Sequence, residues 1–213
     1  MKLRKLAGIL MLSLCFASCG SEAQAAVANI ATTTLNEQSA VIAELRSEYE
    51  TQAAKGAYDI IPNIKTYSGD GYSFDMDTAI WSEIESEQYG QAFQLDQRLK
   101  TSFFSVTVSD VSGDYKIEDI GDNFLRENGI DNDDTNGVKN IDPQGEYITL
   151  AGMDAFKATS LISIGESSVP VMKSVTDVVL QGTKCYTITY RYPVYLTESD
   201  VGIDTMLNSF RLT

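Results

Sequence analysis

The chain of 213 residues holds no histidine, which removes histidine-dependent triads and the usual zinc sites from consideration. Carboxylates, tyrosines and thiols are what remain for chemistry. Glu83, Glu85 and Glu87 alternate along one short run and could supply the carboxylates of glycoside hydrolysis, yet the same spacing describes a single solvated face, which is the reading adopted. Asp131-Asn132-Asp133-Asp134-Thr135-Asn136-Gly137 sets Asn132, Asp134 and Asn136 ahead of a glycine, close to the alternating oxygen ligands of a calcium loop. The bidentate glutamate of such a loop falls on Pro143, with Asp142 and Glu146 out of register, so the stretch is read as an acidic loop and no metal ligand is assigned. Cys185 has no imidazole partner and sits in a strand-like run, which makes it a small packed residue rather than a nucleophile. Tyr186, Tyr190, Tyr192 and Tyr195 could line a sugar or peptide groove; alternation with β-branched neighbours reads first as sheet packing. Neither a phosphate loop nor a dinucleotide fingerprint occurs. No catalytic residue and no cofactor is expected.

The remaining thiols belong to the amino terminus. Lys2, Arg4 and Lys5 precede an apolar run from Leu6 to Ala17, which is shorter than the roughly 20 residues a membrane-spanning helix needs and reads as a secretion signal. The run ends at Phe16-Ala17-Ser18-Cys19-Gly20, an apolar residue and two small ones before cysteine, and this resembles a bacterial lipobox with phenylalanine in place of the usual leucine. Cys19 would then be the lipidated first residue of the mature chain, with residues 1–18 as signal peptide. Cleavage after Ala23-Gln24-Ala25, releasing a secreted soluble protein, is the alternative. With Cys15 in the signal and Cys19 acylated, no disulfide is expected for Cys185.

Loss of residues 1–18 removes three basic and no acidic side chains, leaving 13 basic against 30 acidic, or about −17. Nucleic acid and anionic headgroups are repelled by such a charge, so contact with the membrane is expected through the lipid anchor only. Partners of another kind, an envelope protein or a small ligand, stay open.

These residues need elements to position them. Small polar residues and alanines over 19–33 suggest a flexible tether. An amphipathic helix over 34–56 follows, with Thr34 and Glu37 as a capping box, Val41, Leu45, Tyr49 and Ala53 as its stripe and Gly56 as its stop. It would pack on the domain or bind a partner. The domain proper is placed at 65–213. Strands are expected over Tyr72–Met76, Tyr89–Asp96, Ser102–Ser109, Glu146–Leu150, Asp154–Ile164, Val169–Leu180 and Tyr186–Tyr192, with glycine-bearing turns at Gly152, Gly165 and Gly182. Ile117, Ile120, Phe124 and Leu125 mark a second helix that stops at Gly129. Thr197 and Asp200 cap a third, whose stripe is Ile203, Met206, Leu207 and Phe210. About six or seven antiparallel strands with three helices make the α+β class, in one domain, expected as a monomer.

Local words accompany this order of elements. Tyr72-Ser73-Phe74 followed by Trp81, the turn Leu150-Ala151-Gly152-Met153-Asp154-Ala155-Phe156, the strand Cys185-Tyr186-Thr187-Ile188-Thr189-Tyr190 and the closing Leu207-Asn208-Ser209-Phe210-Arg211 resemble the PsbP-like family. That family includes the extrinsic photosystem II subunit, the Ran-binding Mog proteins and many bacterial lipoproteins. The resemblance covers Tyr67 to Thr213 and implies a central antiparallel sheet between helices, an α/β/α sandwich. It implies no shared catalytic set. Asp77-Thr78-Ala79-Ile80 stands where a proline commonly precedes the tryptophan. The expected function is therefore a non-catalytic, lipid-anchored extracytoplasmic interaction or scaffold protein, with a small-ligand or calcium-binding surface lipoprotein as the alternative.

Overall fold

The computed structural model describes residues 21–56, 60–85, 90–95, 102–111, 115–130, 138–164 and 170–213. Helix α1 (Ser21–Ala54) leads into two hairpins, β1 (Ile64–Gly69) with β2 (Tyr72–Asp77) and β3 (Trp81–Ile84) with β4 (Gln91–Leu95). Then come β5 (Phe103–Asp110), helix α2 (Ile117–Ile130), β6 (Val138–Leu150), β7 (Met153–Ile164), β8 (Met172–Gln181), β9 (Lys184–Pro193), helix α3 (Ile203–Ser209) and β10 (Arg211–Leu212). Seven strands form an antiparallel sheet in the order β3-β4-β5-β9-β8-β7-β6, and β1-β2-β10 form a second, three-stranded one.

Alternation decides what each face buries. Along β9, Tyr186, Ile188, Tyr190 and Tyr192 enter the larger core while Cys185 enters a second, smaller one on the opposite face. The larger core joins these residues to Tyr72, Phe74 and Met76 of β2 and to Ile203 and Met206 of α3, so the small sheet and α3 lie over one face of the large sheet. Aromatic rings meet edge to face there, as Phe74 and Phe93 do at 5.6 Å and 89°. On the other face α2 packs Ile117 and Ile120 against Phe156, Ala158 and Val178. Gly121 lets the helix come close: a Cβ at that position would stand 2.7 Å from the Phe156 ring.

Two hairpins fix the register of the centre. Leu150 pairs with Met153 and Gln181 with Lys184, leaving the two-residue turns Ala151-Gly152 and Gly182-Thr183. Ala151 and Gly152 both have positive φ, 52° and 78°, as a type I′ turn requires. The ladder of β6 with β7 shifts between Ile141 and Gln144, where Pro143 interrupts it. Proline is tolerated there because β6 is an edge strand and the site is a bulge.

The α+β class and the antiparallel sheet agree with the sequence reading, and several details differ. Helix α1 begins at Ser21, so it takes in residues 21–33, read above as a tether, and Thr34 is not its start. Alanine at 23, 25, 26, 28 and 31 has the highest helix propensity of any residue and outweighs the polar, linker-like look of the segment. Strands β1, β3 and β10 were not expected; they are six, four and two residues long and carry weak alternation. Helix α2 passes through Gly129 to Ile130. The capping-box bonds of Thr197 and Asp200 form, yet α3 begins only at Ile203. Gly202 explains the delay. Its φ of 73° is left-handed, and bonds from Gly202 N to Ser199 O at 3.2 Å and Ile203 N to Glu198 O at 2.9 Å end the first turn as a Schellman motif.

Candidate functional site

Strand β8 brings one carboxylate into the larger core. Asp177 is 1 % exposed, with Val175 and Val179 as neighbours along its own face. Ile188 of β9 and Lys157 of β7 stand opposite it in the ladders. Its Oδ1 has no hydrogen-bond partner among the described residues, while the Tyr190 hydroxyl bonds the carboxyl group. That hydroxyl also reaches Glu198 Oε1 at 3.4 Å, and Tyr192 donates to the same oxygen at 3.4 Å. Burial pushes the Asp177 carboxyl up to about 6, against the pull of Lys157 and of the Tyr190 bond; Glu198 and Glu146 add to the rise. Burial, then the nearby carboxylates, raises both phenols, so Tyr190 and Tyr192 remain protonated donors. The cluster can hold a proton on Asp177, beside two phenols that stay donors.

Glu198 ties this buried cluster to the surface. It lies in the turn from Thr197 to Asp200, closed by Thr197 N donating to Asp200 Oδ2 at 2.8 Å and Asp200 N donating to Thr197 Oγ1 at 3.2 Å. Asp200 in turn accepts the guanidinium of Arg46 from α1, which also bonds Glu50 at 2.8 Å. Burial opposes ionisation of Asp200, but Arg46 and Thr197 outweigh it and hold the carboxyl below its ordinary range. Beside this clamp a shallow cleft of about 430 Å³ opens between Ile42, Ala43 and Arg46 of α1 and Val194, Tyr195 and Leu196.

A third feature sits at the far edge. Among the described residues β1 has a strand neighbour on one side only. Ile60, Ile61 and Ile64, at or just before its start, are 45 %, 90 % and 52 % exposed. Three isoleucines turned to solvent within five positions, beside a free strand edge, are chemistry for docking rather than catalysis.

The architecture is that of a known fold. The cyanobacterial PsbP protein (CyanoP) of Synechocystis sp. PCC 6803 superposes with a TM-score of 0.56 at 16 % identity, over 72 % of this chain and 95 % of that one. This chain has the PsbP-like fold. LpqN of Mycobacterium tuberculosis, described as involved in cell envelope biogenesis, matches at 12 % identity over 72 % of this chain and 84 % of its own, with a TM-score of 0.45. The Ran-binding protein Mog1p of Saccharomyces cerevisiae matches at 10 % over 71 % and 96 %, also with 0.45. No protein-family model and no curated protein sequence matches. The CyanoP likeness is one of fold.

On this PsbP-like scaffold the residues singled out in the sequence go to separate places. Cys19 with its lipobox, the Asp131 to Gly137 loop and Glu87 lie outside the described residues. Glu83 is exposed in β3 opposite Phe93, with no carboxylate across the ladder, and Glu85 follows the strand end. Cys185 is buried and its thiol is pushed up by that burial. Tyr186, Tyr190 and Tyr192 are packed in the core, while Tyr195 reaches the cleft. No three metal-ligating side chains cluster among the described residues. Sequence reasoning missed Asp177, Glu198 and Arg46. The signal for Asp177 was present: in Val175-Thr176-Asp177-Val178-Val179 a carboxylate occupies an inward position of a β-branched strand.

Proposed function

We propose that the protein is a non-catalytic interaction module held at the outer side of a bacterial membrane by lipid on Cys19, where it docks an extended segment of another envelope protein along β1. The observation that carries the reading is the apolar edge: Ile61 is 90 % exposed, with Ile60 and Ile64 beside it, next to a strand lacking a second neighbour among the described residues. Strand addition at such an edge uses backbone bonds for affinity and apolar side chains for choice of partner. The lipobox ending at Cys19 supports the location, and the PsbP-like fold is compatible with a binding role, since fold alone specifies no chemistry. Among the described residues no helix is long and apolar enough to cross a membrane.

The second reading, a small-ligand lipoprotein, draws on the cleft beside Arg46, whose walls are apolar with one cation at the rim. Two measurements test the proposal. Intact-mass analysis of the native protein should find an acylated Cys19 as first residue; a chain beginning at Ala26 contradicts it. Capture from solubilised envelopes should recover a partner with the wild type and lose it with Ile61→Lys. Retention of the partner by Ile61→Lys, or saturable binding of a small molecule blocked by Ile42→Trp in the cleft, transfers the function to the second reading.

A further inference from the structure

We infer that Asp177, Tyr190 and Glu198 form a proton-operated latch that fastens helix α1 to the domain. The latch is independent of the docking role of β1. Tyr190 has one hydroxyl proton and two carboxyl groups hydrogen-bonded to it, Asp177 and, at 3.4 Å, Glu198. With Asp177 protonated, its carboxyl donates to the Tyr190 oxygen, Tyr190 donates to Glu198, and the chain of bonds is complete. With Asp177 ionised, two acceptors compete for one donor and two negative charges face each other across a buried phenol. The proton is exchanged with solvent and no other covalent bond changes.

Glu198 is where the strain leaves the core. Its carbonyl holds the Ile203 amide at 2.9 Å, and two residues on is Asp200, whose carboxylate grips Arg46 and whose carbonyl receives the Tyr49 hydroxyl at 3.5 Å. Outward movement of Glu198 therefore loosens the hold of this turn on Arg46 and Tyr49 of α1. The charged and titratable groups that bear on Asp177 are Lys157 from β7, Glu146 from β6, Tyr190 from β9 and Glu198 from the turn. Burial, helped by the two glutamates, outweighs Lys157 and the Tyr190 bond and pushes the Asp177 carboxyl up from 3.8 to about 6. Burial of Asp177 is common to the docked and undocked states, so only its repulsion with Glu198 couples to α1: docking is fuller while Asp177 is protonated and weakens as pH rises through the Asp177 titration at about 6. Asp200 stays ionised over the upper part of this window because its carboxyl is held below the ordinary range.

Hydrogen exchange on the full-length protein, with times scaled to the intrinsic amide rate, tests the latch at pH 4.5 and pH 7. Protection of residues 39–54 should fall between pH 4.5 and pH 7, because the repulsion between Asp177 and Glu198 is present only when Asp177 is ionised. Strand β9 should keep its protection. Asp177→Asn and Glu198→Gln each remove one of the competing charges and should leave α1 equally protected at both pH values; if the first fails to fold, the second carries the test. Equal protection of wild-type α1 at the two pH values overturns the latch. So does a wild-type fall retained in Glu198→Gln, or a loss shared equally by β9.

Discussion

Replacing Asp177 by asparagine should stabilise this protein at neutral pH, and the size of the effect follows from its surroundings. The side chain keeps its shape and loses its charge. At pH 7.5 the fold must keep an ionised carboxylate in a site that is 1 % exposed, beside Val175, Val179 and Ile188. Raising its pKa from 3.8 to about 6 corresponds to roughly 3 kcal/mol of stability withheld from the ionised state. The asparagine amide is still a buried polar group, and incomplete bonding costs about 1–2 kcal/mol of that gain. The expected net gain at pH 7.5 is therefore about 1–2 kcal/mol, or a Tm rise of about 2–8 °C for a chain of this size. Because the folded pKa lies above the unfolded one, the penalty is absent below pH 3.8, grows between 3.8 and about 6, and is complete above it. At pH 4 the variant should therefore show only the amide cost and be slightly less stable than wild type. Urea unfolding of both proteins at pH 4, 5, 6 and 7.5, followed by the single tryptophan, gives the difference directly and cancels the titration of shared groups such as Asp200. A variant destabilised by the same amount at pH 4 and pH 7.5 would refute the reasoning.

Two other substitutions probe the packing. Gly121→Ala would gain helix propensity of about 1 kcal/mol but drive a methyl to 2.7 Å from the buried Phe156 ring, so a net loss of about 1–2 kcal/mol in urea unfolding is expected; a more stable variant would show that α2 can shift. Ala151→Gly relieves a left-handed alanine at φ 52° in the β6–β7 turn and should raise stability by about 1 kcal/mol, seen as a higher Tm, whereas a fall would mean that the turn is not held in that conformation.

How much was legible from sequence depended on whether local pattern and tertiary context agreed. Strand β9 was readable because Tyr186, Ile188, Tyr190 and Tyr192 alternate over seven residues and its turn carries glycine. Strand β3 was not, since Trp81-Ser82-Glu83-Ile84 is too short to show a period and is held by pairing with β4 and by the Trp81 indole donating to Val201 O at 2.9 Å, contacts 14 and 120 residues away in sequence. The bonds of the Thr197 cap were read correctly; the halt at Gly202 was not, because nothing in Val201-Gly202-Ile203 says whether glycine continues a helix or reverses it. Asp177 and Glu198 lie 21 positions apart and meet only through Tyr190, so the cluster had no sequence spacing to reveal it.

The claim that this PsbP-like domain works as a tethered docking module is tested most directly by cross-linking in living cells. A photoreactive side chain at Ile61 of the full-length protein, compared with one at Ser39 beside the cleft, reports which surface is occupied. The expected result is a discrete adduct with one envelope protein from position 61, diminished when Cys19→Ala frees the domain from the membrane. No adduct from position 61, or one that forms equally well without Cys19, would contradict the account.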